Sequence, residues 1–191
     1  MLAIIIDCLM QGGVIVYPTD TAYGLGADWT NARAVKKVFA VKQRSPDKKV
    51  PVIVSGVAMA KKYVTWNAQA QGLVDHYWPG ALTIVLPKEN GTTLGVRMPN
   101  HPIALQIVRA FGKPIVSTSA NISYQPTCYS IRSFVGQLSF VNGHVPAVSP
   151  DIVIDAGALA RRMPSTVVDC SGQSMRVLRS GRLSKLIASS F

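Results

Sequence analysis

The stretch that decides the fold is Val14-Ile15-Val16-Tyr17-Pro18-Thr19-Asp20-Thr21-Ala22-Tyr23-Gly24-Leu25-Gly26. Its first four residues form an apolar run rich in β-branched side chains, which is typical of a short buried strand. Pro18 is expected to end that strand, because proline has no N–H for a sheet ladder. The following residues are rich in hydroxyl groups and end in Gly-x-Gly, where a backbone can approach a ligand closely. The stretch therefore predicts either a ligand-binding loop at the end of a strand or a turn whose hydroxyls are satisfied locally.

The composition indicates one α/β domain with a sizeable core. The chain has 191 residues, of which 48% are apolar, and no apolar run approaches the roughly 18 residues that a membrane span needs. Its first residues lack the basic leader and cleavage site of a signal peptide. The three cysteines are widely spaced and the three histidines are scattered, so we expect free thiols, no protein metal site and a cytoplasmic location.

The charge predicts a polyanionic partner. Twenty Lys and Arg residues against nine Asp and Glu residues give a net charge of +11, and the excess is spread along the chain. A folded domain with this balance usually binds nucleic acid, nucleotides or an acidic surface. Charge alone does not decide among these three classes.

Apolar periodicity predicts alternating helices and strands. Helical spacing is found over residues 2–11, 31–41, 57–63, 67–76, 102–111 and 130–138, with Thr30 as the expected N-cap of the second helix. Short apolar runs predict strands over residues 14–17, 52–54, 81–86, 94–98, 115–116, 152–155, 165–169 and 175–178.

A basic segment follows the second predicted helix. Residues 42–49 contain four cations and a proline, and in an extended segment Lys42 and Arg44 would point the same way. A lysine and an arginine that converge from one short segment suit a triphosphate. The alternative is a solvated basic loop. In either case Lys42 is expected to be a solvated loop lysine that contributes little to stability.

An arginine lies within an otherwise apolar strand. Arg97 should meet either a protein carboxylate or an anionic ligand, because a buried cation without a partner is costly. With only nine acidic residues in the chain, we favour the ligand. His101 then opens a helix, where a structural role is slightly favoured and a catalytic one stays open.

Hydroxyl and amide side chains follow the predicted strand at residues 115–116. The segment Ser117-Thr118-Ser119-Ala120-Asn121 offers many donors and acceptors that could hold the phosphate, ribose and base of a nucleotide. The alternative is a turn in which these side chains satisfy each other.

Motifs spread over residues 7–183 resemble the YrdC-like family. The first is Tyr-Pro-Thr-Asp-Thr-x-Tyr-Gly-Leu-Gly, and the others are Lys-x-Arg with a further lysine at Lys48, Trp-Pro-Gly-x-Leu-Thr, Val-Arg-x-Pro-x-His-Pro, Lys-Pro-Ile-Val-Ser-Thr-Ser-Ala-Asn, Ser-Thr-Val-Val-Asp and Leu-Arg-x-Gly. One difference is Ser45, which stands before Pro46 where the family places proline directly after the arginine. The resemblance implies a single YrdC-like domain over residues 1–191 without a C-terminal extension domain. It also implies a twisted mixed β-sheet with flanking helices around a basic concave cavity.

The resemblance also implies an activity. Family members join L-threonine, bicarbonate and ATP into threonylcarbamoyl-AMP and pyrophosphate, for modification of tRNA next to the anticodon. Further expected partners are tRNA or the partner proteins of tRNA modification. Because the chain offers few carboxylates, we expect Mg²⁺ to be held mainly by the phosphates.

Residue roles follow from the same resemblance. It assigns threonine binding to Thr19, Arg97, Ser117 and Ser165. It assigns ATP binding to Lys42, Arg44, Thr93, Ser119, Asn121, Thr127 and Arg179, with Lys42, Arg44, Ser119 and Asn121 as the catalytic group.

Two other functions remain as alternatives. One is a non-catalytic module that binds RNA, including double-stranded RNA, on its basic concave face. The other is a paralogue with a different carbamoyl-type substrate, such as the YrdC-like domain of hydrogenase-maturation carbamoyltransferases. Those proteins carry zinc-finger and acylphosphatase segments, which are not found in this sequence.

Overall fold

The computed structural model of the protein describes residues 1–139 and 148–190. Its helices are α1 (Leu2–Met10), α2 (Ala32–Lys42), α3 (Val57–Ala60), α4 (Ala68–Tyr77), α5 (Pro102–Phe111), α6 (Ile131–Ser139) and α7 (Ser184–Ser190). Its strands are β1 (Ile15–Pro18), β2 (Tyr23–Gly26), β3 (Val52–Ile53), β4 (Leu82–Pro87), β5 (Thr93–Arg97), β6 (Ile115–Val116), β7 (Thr118–Ser119), β8 (Ile152–Val153), β9 (Thr166–Asp169) and β10 (Arg176–Arg179). In these described ranges no helix is long and apolar enough to cross a membrane.

The first sheet has the strand order β7-β2-β1-β8 and contains both parallel and antiparallel pairs. Strands β1 and β2 form a hairpin in which Pro18 pairs with Tyr23. Pro18 is the last residue of β1, as expected, whereas the second half of the predicted loop after it forms the strand β2. A Cβ atom at Gly26 would lie 2.7 Å from Cε1 of Tyr17, so this glycine makes room for a ring of the neighbouring strand.

The second sheet has the order β10-β9-β4-β5-β3-β6 and is also mixed. The two sheets meet beyond the end of β2, where Val116 donates its N–H to the carbonyl oxygen of Ala27 at 2.9 Å and Asp28 pairs with Ile115. The predicted α/β class with mixed sheet pairing is thus confirmed, with the strands divided between two joined sheets.

Helices cover both faces of β1. Ile15 and Tyr17 pack against α1 and α5, whereas Val14 and Val16 face the apolar side chains of α2 and α6. A strand that is buried on both faces needs an unbroken apolar run rather than an alternating pattern. This arrangement explains why the sequence of β1 is apolar at each position.

Three details of the helices differ from the prediction. The N-cap of α2 is Asn31, whose side chain accepts from the N–H groups of Arg33 and Ala34, while the hydroxyl of Thr30 donates to Asp28. The helix predicted over residues 57–63 is shorter, and α7 was not predicted.

Candidate functional site

A cavity of about 720 Å³ is lined by residues of both sheets. The turn between β1 and β2, the end of α2, and strands β4, β5, β7, β9 and β10 all contribute to its wall. It brings together nearly all the site residues predicted from the sequence, namely Thr19, Lys42, Arg44, Thr93, Arg97, Ser117, Ser119, Thr127, Ser165 and Arg179. The sequence motifs therefore converge in space on one concave surface.

The cavity carries a strong positive charge. Its described lining contains six cationic side chains, which are Lys42, Arg44, Lys49, Arg97, Arg162 and Arg179. The single carboxylate of that lining is Asp169, which already accepts hydrogen bonds from Ser171 and Arg176. Charges of one sign in a concave site attract anionic ligands.

Lys42 is the last residue of α2 and is buried, with 5% of its surface exposed. Its Nζ donates to the carbonyl oxygen of Ser119 at 2.6 Å and to Oδ1 of Asn121 at 2.7 Å. Burial, and then the charge of Arg44, lowers the pKa of Lys42 to about 8. The prediction of a solvated lysine in an extended loop is therefore wrong, because Lys42 ends a helix and joins it to the turn after β7.

Arg44 still reaches the same cavity as Lys42. Gln43 adopts a left-handed conformation with φ of 50° and turns the chain between the two cations. The Nη2 atom of Arg44 lies 3.4 Å from the carbonyl oxygen of Lys49, and Nζ of Lys49 donates to Oγ1 of Thr93 at 3.0 Å. Lys49 lines the cavity, whereas Lys48, the lysine that the resemblance matched to the family motif, does not.

Asn121 does not line the cavity. Its Oδ1 accepts from Nζ of Lys42 and from Oγ of Ser119, the latter at 2.6 Å, and its Nδ2 donates to two backbone carbonyls. The amide therefore lies behind the wall and orients the lysine and the serine. The segment from Ser117 to Asn121 thus combines the two predicted arrangements. It forms a turn whose side chains bond to each other, and that turn holds Ser117 and Ser119 in the cavity wall.

Arg97 forms a buried ion pair with Asp20. Its Nη2 lies 2.6 Å from Oδ1 of Asp20, its Nη1 donates to Oγ1 of Thr21 at 3.1 Å, and its Nε donates to the carbonyl oxygen of Gly80 at 3.0 Å. The protein carboxylate is thus present, although the sequence favoured a ligand. A guanidinium has five N–H donors. The described contacts use three, which leaves one donor on each Nη for a ligand in the cavity.

Arg179 on β10 places a second guanidinium near that of Arg97. Arg179 donates from Nη2 to Oγ of Ser165 at 2.8 Å, and Oγ of Ser165 lies 3.0 Å from Oγ1 of Thr83. Burial, and then the charge of Arg97, lowers the pKa of Arg179. Thr83 was not predicted as a site residue, although it is the threonine of the Trp-Pro-Gly-x-Leu-Thr motif.

Thr19 begins the turn between β1 and β2. Its hydroxyl donates to the carbonyl oxygen of Ala22 at 2.6 Å and accepts from the N–H groups of Thr21 and Ala22. The locally satisfied turn is therefore observed, and it also forms part of the cavity wall. His101 is the N-cap residue of α5 and is not part of the described cavity lining, which agrees with the structural interpretation of this histidine.

Two further residues of the wall were missed. Tyr129 and Arg162 line the cavity but belong to irregular segments with no motif in the sequence. In the sequence, Tyr129 closely follows Thr127 and Arg162 shortly precedes Ser165. This proximity is their only link to the predicted site residues. Taken together, the cavity combines guanidinium and ammonium groups with hydroxyls, which suits a ligand bearing several phosphates and a carboxylate.

The chain is similar to known proteins along most of its length. Residues 7–181 match the Sua5/YciO/YrdC family model, which is described as telomere recombination. A threonylcarbamoyl-AMP synthase of Vibrio cholerae is 36% identical over 188 residues, covering 92% of this chain and 95% of the relative.

Solved structures show the same fold. The structure of Pyrococcus abyssi Sua5 complexed with L-threonine superimposes with a TM-score of 0.86 at 28% identity, covering 99% of this chain and 57% of that one. The structure of Escherichia coli YciO superimposes with a TM-score of 0.79 at 25% identity, covering 96% and 92% of the two chains. The matched residues, the shared fold and the convergence of the motifs on one basic cavity agree, and the chain therefore belongs to the Sua5/YciO/YrdC family.

Proposed function

We propose that this chain is an L-threonylcarbamoyladenylate synthase, which converts L-threonine, bicarbonate and ATP into threonylcarbamoyl-AMP and pyrophosphate. The observation that carries the proposal is the cavity itself, whose lining among the described residues places six cations and one carboxylate around a set of hydroxyls. The synthase names of relatives that match along most of this chain support it.

The chemistry needs little covalent participation by the protein. The threonine amine attacks the carbon of bicarbonate, and loss of water leaves a carbamate. A carbamate oxygen then attacks the α-phosphorus of ATP, so an O–P bond forms while the bond to the β-phosphate oxygen breaks. Pyrophosphate leaves with that electron pair. Such a reaction depends on positioning and on neutralising the developing phosphate charge.

The threonine end of the site is assigned to Arg97 and the hydroxyls around it. Asp20 and Gly80 fix the orientation of the Arg97 guanidinium. Its two remaining N–H donors can therefore bind a carboxylate in a bidentate manner. Ser117, Ser165 and Thr19 line the same cavity and would contact the amino acid.

The ATP end is assigned to the remaining cations and hydroxyls. Lys42 and Arg44 would neutralise the phosphates, Ser119 would contact them, and Asn121 would act through Lys42 and Ser119 as a positioning residue. The other proposed contacts are Thr93, Thr127 and Arg179. Since Asp169 is already bonded to Arg176, Mg²⁺ would be held mainly by phosphate oxygens and water. The product would be passed on for tRNA modification, with tRNA or a protein of that process as the partner.

The test is pyrophosphate release with each substrate omitted in turn. We expect release only when threonine, bicarbonate and ATP are all present. Release that is independent of threonine would indicate a simple ATP pyrophosphohydrolase. No release, together with binding of double-stranded RNA, would favour the binding-module alternative.

A further inference from the structure

An irregular segment between β8 and β9 forms part of the cavity wall. We call residues 155–164 the strap. It has no helix or strand, and all its residues are exposed except Leu159, which is half-buried. Arg162 and Pro164 of the strap line the cavity. No sequence motif or assigned role covers this segment.

The hydroxyl of Tyr23 holds the first part of the strap. The ring of Tyr23 is fully buried in β2. Its oxygen lies 2.7 Å from the carbonyl oxygen of Gly157 and 3.2 Å from Oδ1 of Asp155, and it accepts the N–H of Ala156 at 2.8 Å. A phenol has one proton, so the hydroxyl donates to one of these two oxygens while it accepts from Ala156. One side chain therefore ties Ala156, together with either Asp155 or Gly157, to the sheet.

Tyr129 holds the second part of the strap. Its carbonyl oxygen accepts the N–H of Leu159 at 2.8 Å, and its hydroxyl donates to the carbonyl oxygen of Arg162 at 3.2 Å. The guanidinium of Arg161 lies 5.9 Å from the centre of the Tyr129 ring. Two neighbouring arginines are thereby separated, because Arg161 lies over the aromatic ring while Arg162 lines the cavity.

Arg162 differs from the other cations of the cavity. Lys42 donates to Ser119 and Asn121, Arg97 pairs with Asp20, and Arg179 donates to Ser165. Within residues 1–139 and 148–190, the guanidinium of Arg162 has no ion-pair or hydrogen-bond partner. All five of its donors are therefore available to an anion in the cavity.

We propose that Arg162 binds the polyphosphate of ATP and that Tyr23 is a positioning residue that places Arg162 by holding the strap. This proposal rests on the proposed function, since it names a further contact to the same substrate. It also explains why a tyrosine stands at position 23, where phenylalanine would fill the buried space equally well.

The first experiment measures ATP binding by calorimetry to the native chain, Arg162→Ala and Arg161→Ala. The two variants remove the same charge from adjacent positions of the strap. We expect Arg162→Ala to weaken ATP binding about 10-fold, as for one charge-assisted contact, and Arg161→Ala to change it less than about 2-fold. Threonine binding should be unaltered in both. Equal losses in the two variants would overturn the proposal, because the effect would then come from net charge.

The second experiment tests whether Tyr23 acts through Arg162. Tyr23→Phe should weaken ATP binding in the native background and have no further effect in the Arg162→Ala background. Additive losses would overturn the positioning role. Tyr129→Phe removes the other hydroxyl that holds the strap and should show the same non-additivity, which keeps the test available if Tyr23→Phe folds poorly.

The outcomes separate this proposal from the proposed function. A native chain that binds ATP, responds to Arg162→Ala and forms no threonylcarbamoyl-AMP would overturn the function alone. A native chain that forms the product but binds ATP equally well after Arg162→Ala would overturn the role of Arg162 alone. A native chain that does not bind ATP would overturn both.

Discussion

The Nη2 atom of Arg97 lies 2.6 Å from Oδ1 of Asp20, and both side chains are more than nine-tenths buried. Asp20 lies in the turn after β1 and Arg97 is the last residue of β5, so this pair joins the two sheets at the cavity. It compensates the charge of Arg97 and fixes the guanidinium plane. The sequence did not indicate Asp20 as a partner of Arg97. The ion pair nevertheless leaves the guanidinium oriented so that it can bind a ligand in the cavity.

Replacing the carboxylate should cost stability. In Asp20→Asn the buried guanidinium loses its counter-charge, and removal of one partner of a buried pair typically costs about 3 kcal/mol or more. We expect urea unfolding to show this loss and the KM for threonine to rise. Asp20→Glu keeps the charge and should recover most of both. Native-like stability of Asp20→Asn would show that water already compensates Arg97.

Replacing Arg97 with lysine should be harmful although the charge is kept. Lysine cannot offer two parallel donors to a carboxylate, so we expect the KM for threonine to rise while the KM for ATP changes little. Steady-state kinetics with each substrate varied separately give the two values. If both KM values rise together, or if stability alone falls, Arg97 serves only as the partner of Asp20.

Replacing Lys42 should affect both ATP binding and stability. Lys42→Ala removes a charge-assisted contact, which typically contributes about 1.5–3 kcal/mol, or roughly 10- to 150-fold in affinity. It also leaves acceptors of Ser119 and Asn121 without their buried donor, so the melting temperature should fall. The matched control is Lys48→Ala, since Lys48 is exposed and does not line the cavity. Equal effects of the two variants would contradict the assignment.

The lowered pKa of Lys42 predicts a pH dependence of opposite sign for stability and for binding. Its pKa falls from 10.5 to about 8 on folding, first because of burial. Between these values the unfolded chain binds the extra proton, so the stability of the native chain relative to Lys42→Met should rise as the pH increases through this window. ATP affinity should fall as the pH rises through about 8, because Lys42 of the folded chain then becomes neutral. The measurements are the free energy of unfolding and the ATP affinity as functions of pH. If both quantities change with pH in the same way in the native chain and in Lys42→Met, the prediction is contradicted.

The sequence was most informative where local pattern determines structure. The apolar run before Pro18 predicted β1, and the motifs around Arg44, Ser119 and Ser165 identified side chains that line the cavity. The strand signal is local, because strand propensity can be read from neighbouring residues. The site role of Ser165, in contrast, rested on the resemblance to the YrdC-like family.

Features that depend on distant contacts could not be predicted in this way. Nothing near Asp20 in the sequence indicates Arg97 as its partner, and the choice of Lys49 over Lys48 depends on the turn after α2. Arg162 lies in an irregular strap without periodicity, so its place in the cavity wall follows only from the hydrogen bonds of Tyr23 and Tyr129.

The most direct test of the account is mass spectrometry of the products formed from threonine, ATP and ¹³C-labelled bicarbonate. We expect threonylcarbamoyl-AMP that carries the label in its carbamoyl carbon, together with one pyrophosphate for each product formed. Adenylated threonine without the additional carbon would contradict it, because the enzyme would then activate the amino-acid carboxylate, the group that Arg97 is proposed to bind.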